Sequence, residues 1–461
     1  MEADPLFLSR LQFAFLIVFH FLLPAFTIGL ASYIAVLEGV HLWTRNPVYL
    51  RLSNFWIKIF AVSFGLGVVS GIVMPFQFGT NWSRFSEVTG NIIAPLMGYE
   101  GLMAFFLEAT FLGVLLFGRS LVPVWAHFGA AVLVAFGTLL SAFWILAANS
   151  WMQTPAGFEI VDGVFVATDW MQVIFNPSFP FRFFHTVTAV YLTTAFTVIG
   201  VAAYHLLHRQ HLQESKIMIA MGFGLASILV PLQLVLGDLH GLNTLEHQPA
   251  KLAAMEGIWE TGPGQPAILF AIPDEAAERN HAEIGIPNLA SLYLTHDWQG
   301  EVVGLKDFKR EDRPPVAPVF WGFRAMVAMW AIMMALTVCA WYLALRGQLY
   351  ERRGFLRACI GGIPSGYIAV TAGWITTEVG RQPWVVHELL RTRDAVTPFL
   401  SGGDVIASLT LYVIVYVLIF GAGFYFLVRL ARRGPQPLPE DRGPRMGERP
   451  ARPLSAATES E

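Results

Sequence analysis

The chain has 461 residues, of which 55% are hydrophobic and only 14% charged, and its formal net charge is −3. A soluble domain of ordinary composition carries about 25% charged residues, so these values exclude an ordinary soluble protein and a disordered one, as does a mean hydropathy of +0.54. No basic excess is present to attract nucleic acid. Only two cysteines occur, Cys339 and Cys359, both in apolar stretches, which excludes a disulfide framework, a Cys-rich zinc site and a thiolate iron–sulfur cluster.

A helix crossing the hydrocarbon core needs about 20 mostly apolar residues. Nine segments meet that need, roughly 13–37, 54–78, 92–117, 123–148, 182–205, 217–236, 319–345, 355–378 and 404–429. The expected fold is therefore all-α: a polytopic membrane protein of nine transmembrane helices. The first segment is too long for a cleavable signal peptide, and Met1-Glu2-Ala3-Asp4 before it is acidic rather than basic. An odd number of spans puts the termini on opposite sides. Twelve Lys/Arg residues fall in short segments on one side, among them Arg45, Arg119, Arg346, Arg352 and Arg432. Six fall on the other: Arg10, Arg84, Arg182, Arg381, Arg391 and Arg393. The bias predicts an outside N-terminus and a cytoplasmic C-terminus.

Four regions follow: helices 1–6 over 1–236, one large outer loop over 237–318, helices 7–9 over 319–429, and a tail over 430–461. Within the loop a helix is expected near 249–260. Pro249 suits its start, and Leu252, Met255 and Trp259 recur at helical spacing. The Pro- and Arg-rich tail lacks apolar periodicity and reads as a disordered cytoplasmic end. No internal repeat of the transporter kind is visible.

Ionisable residues inside spans cost about 2.5–3.5 kcal/mol each on insertion scales, so those present point to a site. They are His20, Glu100, Glu108, His127, His185, Arg324 and Glu378, accompanied by Ser141 and Asn149. On a plain α-helix Glu100 and Glu108 stand about 12 Å apart along the axis and about 80° apart around it, sharing one broad face. His185 and Met326 each lie a few residues inside helices entering from the outer side, at similar depth. His20 lies in the outer half of its helix and Glu378 at the outer end of another. Four potential iron ligands thus gather near the outer face, with carboxylates leading inward. The His205/His208/His211 group reads as a solvated helix end.

These residues, taken in order, resemble subunit I of the cytochrome bd-type quinol oxidases over nearly the whole chain. The resemblance rests on Ser9-Arg10-Leu11-Gln12-Phe13 before His20, Glu100-Gly101-Leu102-Met103-Ala104-Phe105-Phe106-Leu107-Glu108, and Ala148-Asn149-Ser150-Trp151-Met152-Gln153. Phe184-His185-Thr186-Val187, Lys251-Leu252-Ala253-Ala254-Met255-Glu256, Phe323-Arg324-Ala325-Met326-Val327 and Glu378-Val379-Gly380-Arg381-Gln382-Pro383-Trp384 complete it. The short loop after the sixth span resembles the short-loop branch, which includes cyanide-insensitive oxidases.

The resemblance implies two b-type haems plus haem d, or a third b-type haem in its place. It implies His185 and Met326 as axial ligands of the low-spin b haem, a pairing that closes both axial positions and suits an electron relay. It implies His20 and Glu378 as ligands of the two high-spin haems, in either assignment. Arg324 would pair with a haem propionate, while Trp374 and Arg381 would lie near the haem pair. Glu100 and Glu108 would serve a proton route from the cytoplasm. The 237–318 loop would bind quinol, with Glu256 accepting a proton and Lys251 bonding a quinone oxygen. The implied activity is oxidation of quinol at the outer face and reduction of dioxygen to water with cytoplasmic protons, which builds a proton-motive force without pumping. The implied setting is the bacterial cytoplasmic (inner) membrane, beside a second multi-span subunit (subunit II) and a single-helix accessory subunit.

Two other readings share the composition and the span count. One is a proton-coupled transporter using Glu100, Glu108 and the histidines as a relay. The other is a non-catalytic membrane haem protein that relays electrons or senses gas. The matched depth of His185 and Met326 favours haem, and the Lys251–Glu256 stretch favours a quinol donor.

Overall fold

The computed structural model describes residues 4–437. Among them nine helical segments are long and apolar enough to cross a membrane, and each overlaps one of the expected spans. The first is broken. Helix α1 (Pro5–Leu22) gives way to α2 (Pro24–Thr44) because Pro24 has no N–H to continue the ladder. Asp4 caps α1 by accepting from the Leu6 amide at 3.0 Å. Helix α3 (Pro47–Thr80) follows, capped by Asn46.

The third span has a defect that hydropathy does not reveal. It runs as α4 (Ser83–Tyr99), then a π-helical turn over Glu100–Phe105, then α5 (Phe106–Phe117). Such turns widen the helix and recur at functional sites. The plain-helix relation between Glu100 and Glu108 therefore does not hold. Helix α6 (Val124–Gln153) leads to a hairpin of β1 (Phe158–Val161) and β2 (Val164–Ala167) and to the short α7 (Trp170–Ile174).

Helix α8 (Phe179–Leu207) is the core of the bundle, with 78% of its most apolar window buried against 17% for the last span. Helices α2, α9 and α14 close on it at small residues. An added Cβ at Gly29 would strike Thr194, at Gly222 Ile199, and at Gly366 Thr193. Close approach of this kind holds helices together where lipid gives no hydrophobic drive. Helix α9 (Leu212–His247) runs about three turns past the expected end at 236.

The loop is a folded layer. Helix α10 (Pro249–Glu256) is shorter than expected, because Gly257 at φ +74° turns the chain and leaves Trp259 outside the helix. Next come β3 (Gly262–Pro263), β4 (Ala267–Asp274), β5 (Arg279–Ile286), α11 (Leu289–Thr295) and β6 (Glu301–Val302). Strands β4 and β5 form an antiparallel hairpin, and β3 pairs with β6. Leu252, Met255, Trp259, Leu294 and Leu305 share a core with Val316 and Val319 of the next span, so the loop is seated on the bundle.

Helix α12 (Val316–Leu345) is the seventh span, and α13 (Arg353–Gly361) with α14 (Ile363–Val379) makes the eighth. After a small hairpin of β7 (Trp384–Val386) and β8 (Leu390–Arg391), α15 (Gly402–Arg433) is the ninth. The expected tail began at 430, but α15 continues through Arg433, and residues 438–461 lie outside those described.

Candidate functional site

A cavity of about 1580 Å³ lies within the bundle, capped on one side by the loop. Ten expected site residues line it: His20, Glu100, Glu108, His185, Lys251, Glu256, Met326, Trp374, Glu378 and Arg381, as do Ser141 and Asn149. Arg324 does not. Its guanidinium donates to the carbonyls of Ile268 (2.5 and 3.0 Å), Glu256 (3.2 Å), Phe320 (3.3 Å) and Met255, and stacks 3.5 Å from the Phe320 ring. Its donors are committed to the loop, so it clamps α10 and β4 to α12 rather than waiting for a propionate. His127 also lies away from the cavity, bound to Glu38 at 3.3 Å.

Glycine makes room beside three expected ligands. An added Cβ would come within 3.1 Å of the His20 ring at Gly71, 3.4 Å of the His185 ring at Gly237, and 3.0 Å of the Met326 sulfur at Gly373. His20 is also oriented. Its Nδ1 lies 3.0 Å from Ser70 Oγ, and Ser70 gives its own proton to the Gly67 carbonyl at 2.9 Å. Ser70 therefore takes the Nδ1 proton, which leaves Nε2 with the lone pair. Trp374 stacks against Phe21 at 5.8 Å. The Gln233 amide rests 3.3 Å from the His185 ring nitrogens, and His240 lies 5.4 Å away, ring to ring.

Glu378 is the anion of a cationic cluster. Its Oε1 accepts from Asn149 at 2.9 Å and Gln153 at 3.2 Å, and its Oε2 pairs with Arg381 at 2.5 Å. Gln153 turns its other end to Lys251, whose Nζ donates to it at 2.6 Å and also to Gln248. Arg182 adds a third buried cation near this carboxylate. Two guanidiniums and the Lys251 amine against one carboxylate leave surplus donors, and the two arginines alone exceed the carboxylate by one positive charge. Nε and Nη1 of Arg381 and Nε of Arg182 have no partner. Buried charge of this kind calls for an anion.

Lys251 and Glu256 do not share a face. Five residues on a helix turn through about 140°, and Glu256 instead lies 3.9 Å from Arg324 and is paired with the Tyr293 hydroxyl. Burial raises the Glu256 carboxyl above the usual range, partly offset by Arg324 and Tyr293. Burial, reinforced by Arg182, pushes the Lys251 ammonium well below the usual lysine range. The same burial, with Lys251 and Arg381 nearby, pushes His387 down to about 4.

Glu100 accepts from Ser141 at 2.8 Å, while Glu108, 6% exposed, keeps Oε1 unpartnered. Sequence reasoning missed Arg182, Gln233, His240 and Tyr293 as site residues. Arg182 counted only as a helix-end cation, His240 fell beyond the expected end of its span, and neutral Gln233 and Tyr293 carried no signal.

The residues fit haem. The candidate ligands stand singly or in a pair, and no cluster of three or more metal-binding side chains occurs among the described residues. A macrocycle that brings its own equatorial donors needs only such axial ligands. Its propionates match the surplus cations.

Comparison with known proteins shows the family and the fold. Residues 8–435 match the family model described as cytochrome bd terminal oxidase subunit I. The cytochrome bd ubiquinol oxidase subunit 1 of Bacillus subtilis is 35% identical, over 93% of this chain and 94% of that one. The cytochrome bd-II ubiquinol oxidase subunit 1 of Escherichia coli is 34% identical, over 94% and 97%. The solved bd oxidase of Geobacillus thermodenitrificans superposes with a TM-score of 0.88 at 29% identity, covering 94% of this chain and 100% of its own. Of the readings the sequence left open, the oxidase is selected. The chain is a multi-pass membrane protein and belongs to the cytochrome bd terminal oxidase subunit I family.

Proposed function

We propose that this chain is the haem-bearing subunit of a quinol oxidase in a bacterial cytoplasmic membrane, working beside a second multi-span subunit. The observation that carries the reading is the single cavity that gathers His20, His185, Met326 and Glu378 with surplus buried cations. His185 and Met326 would hold a low-spin b haem. His20 and Glu378 would hold two high-spin haems, one b and one d or b. Bound there, haem supplies the electron-carrying and dioxygen-binding chemistry.

The chain's own residues handle protons and position. Each quinol releases two protons and two electrons, so two quinols match one dioxygen reduced to two waters. Glu256, held by Arg324 and Tyr293, takes a proton from a quinol hydroxyl at the loop end of the cavity. Arg324 fixes the loop carbonyls around it. Glu108, with a free carboxyl oxygen facing the cavity, holds a proton for water formation, and Glu100 with Ser141 stands beside that route. With the loop outside and the C-terminus inside, protons leave on one side and are consumed from the other. The resulting charge separation needs no pump.

The test is a visible spectrum and haem extraction on the purified complex. Three haems are expected, with Met326→Leu losing the low-spin b signal alone, since thioether ligation goes while packing volume stays. An unaltered low-spin spectrum in that variant overturns the assignment. Oxygen uptake driven by quinol, abolished in Glu256→Ala at full haem content, tests the oxidase reading itself.

A further inference from the structure

The β4–β5 hairpin carries an apolar surface that the loop's core does not use. Leu269, Phe270, Ile272, Ile284 and Ile286 are all exposed, at 57, 40, 54, 62 and 45%. Parts of β4 are buried: Ala267, Ile268 and Ala271 are covered, with Phe320 beside Ile268 and Ala271, and the register is irregular between Ile268 and Ile272. The exposed residues are the remainder of the hairpin's apolar set, and patches of this kind on a folded layer mark an interaction surface.

Two pins fix the depth of the hairpin along α12. At its turn, the Glu275 carboxylate accepts from the Val316 amide at 2.7 Å, the first residue of the helix. At its base, Arg324 grips the Ile268 carbonyl at 2.5 Å. Arg324 lies eight residues, about 12 Å, further along that helix. The 30-residue helix is about 45 Å long, close to the ~40–45 Å of a bilayer with its headgroups. The turn therefore stands where the helix meets water, and the base, about 12 Å deeper, stands just inside a headgroup layer of about 5–8 Å, at the outer end of the acyl chains.

Composition follows the same gradient. Asp274, Glu275, Glu278 and Arg279 crowd the turn, and Glu278 is held by Arg310 and Arg313 at 2.6 and 2.7 Å. The apolar residues sit toward the base. Phe270 there meets Trp321 edge to face at 5.2 Å, and Trp321 is itself 41% exposed in the second turn of α12. The patch is thus continuous with the outward face of a spanning helix at the level where Trp belongs.

We propose that the base of the β4–β5 hairpin is a membrane-surface anchor, with Leu269, Phe270, Ile272, Ile284 and Ile286 seated in the interfacial layer of the bilayer on the loop side. The occupant of this face is lipid. The anchor seats the strand whose carbonyl Arg324 ties to the Glu256 segment, so it holds that segment at the level from which a membrane-dissolved molecule arrives.

Depth can be read directly on the intact complex in nanodiscs of phosphatidylethanolamine and phosphatidylglycerol. Cys339→Ser removes the exposed thiol, and Cys359 is buried. In that background Ile272→Cys, Ile284→Cys and, at the turn, Ala277→Cys are each labelled with a nitroxide. The labels at 272 and 284 should collide several-fold more with dioxygen than with a water-soluble nickel chelate, and the label at 277 should show the reverse. Equal nickel access at all three positions overturns the proposal in favour of water. Immobilised labels shielded from both colliders overturn it in favour of a protein cover. The measurement needs no quinol, so it stands apart from the proposed oxidase activity. A second arm does rest on that activity: Ile272→Asp with Ile284→Asp should raise KM for a long-chain quinol several-fold and leave KM for a short-chain, water-soluble quinol unchanged.

Discussion

Glu38 and Glu378 are both shielded carboxylates among arginines, placed toward opposite ends of the same bundle. Helix α6 contributes to both, with His127 at one end and Asn149 and Gln153 at the other. Asn149 lies 22 residues beyond His127, roughly 33 Å of helix. Glu38 is saturated. Arg119 donates to its two oxygens at 2.5 and 2.9 Å, His127 adds a contact at 3.3 Å, and Ser53 supplies another. Four hydrogen bonds from three partners fill the capacity of a carboxylate. At the loop end the balance is reversed, with two arginines and a buried lysine gathered about Glu378 and three guanidinium nitrogens without a partner. A closed network ties helices together, whereas an open one, beside a large cavity, awaits a ligand. Arginine stands beside both acids; what tells them apart is the balance of unmet donors, one guanidinium nitrogen (Arg119 Nε) beside the filled Glu38 carboxylate against three beside Glu378.

The sharpest way to break this contrast is Glu38→Ala. Removing the saturated carboxylate strands Arg119 and should cost about 3–5 kcal/mol, seen as a lower melting temperature and poor assembly of the complex. Haem signals should fall together rather than one by one. Selective loss of one haem would show that Glu38 serves the site. Next in size, Glu256→Gln should lower quinol oxidation by about 100-fold with the melting temperature and haem content unchanged. In the parent protein the rate should rise with pH through a limb set by Glu256, because the base works deprotonated and burial has raised its carboxyl above the usual range. That limb should vanish in Glu256→Gln, and a surviving limb would assign it elsewhere.

Gln153→Leu tests the amide that joins Lys251 to Glu378. It leaves one donor and one acceptor unmet, at about 1–3 kcal/mol. Both the spectrum of the haem proposed at Glu378 and the quinol KM should shift; a change in only one would mean that the two ends are independent. The smallest effect is expected from Ser70→Ala, which frees the His20 ring to turn. Second-shell losses of this type reach about 10-fold in affinity, so a partial deficit of one high-spin haem is expected on extraction, with the low-spin signal intact.

The nine spans were legible because lipid leaves little choice: a crossing helix must be long and apolar, and little else in the chain is. His20, Glu100, Glu108, His185 and Glu378 stood out for the same reason, since ionisable groups in that solvent are costly. Met326 stood out only by sharing the depth of His185, and Trp374 and Lys251 came only with the family resemblance. What stayed hidden was set by geometry rather than composition. The π turn at Glu100–Phe105 has no signature of its own, and the β4–β5 hairpin mixes exposed apolar and charged residues without a clean alternation. Arg324 was found, but its partner was not. One turn of helix decides whether that guanidinium faces the cavity or the loop, and sequence alone does not fix that angle.

His185 sits on α8, the helix that its neighbours grip through Gly29, Gly222 and Gly366. A redox centre held, as proposed, from the most buried span of the bundle would have little freedom to relax when its charge changes. The nuclear rearrangement that accompanies each electron would then be small, and the activation barrier to tunnelling low. Tight backbone contact in the middle of the bundle, chosen to hold helices together in lipid, would in this way also set how fast charge can enter it.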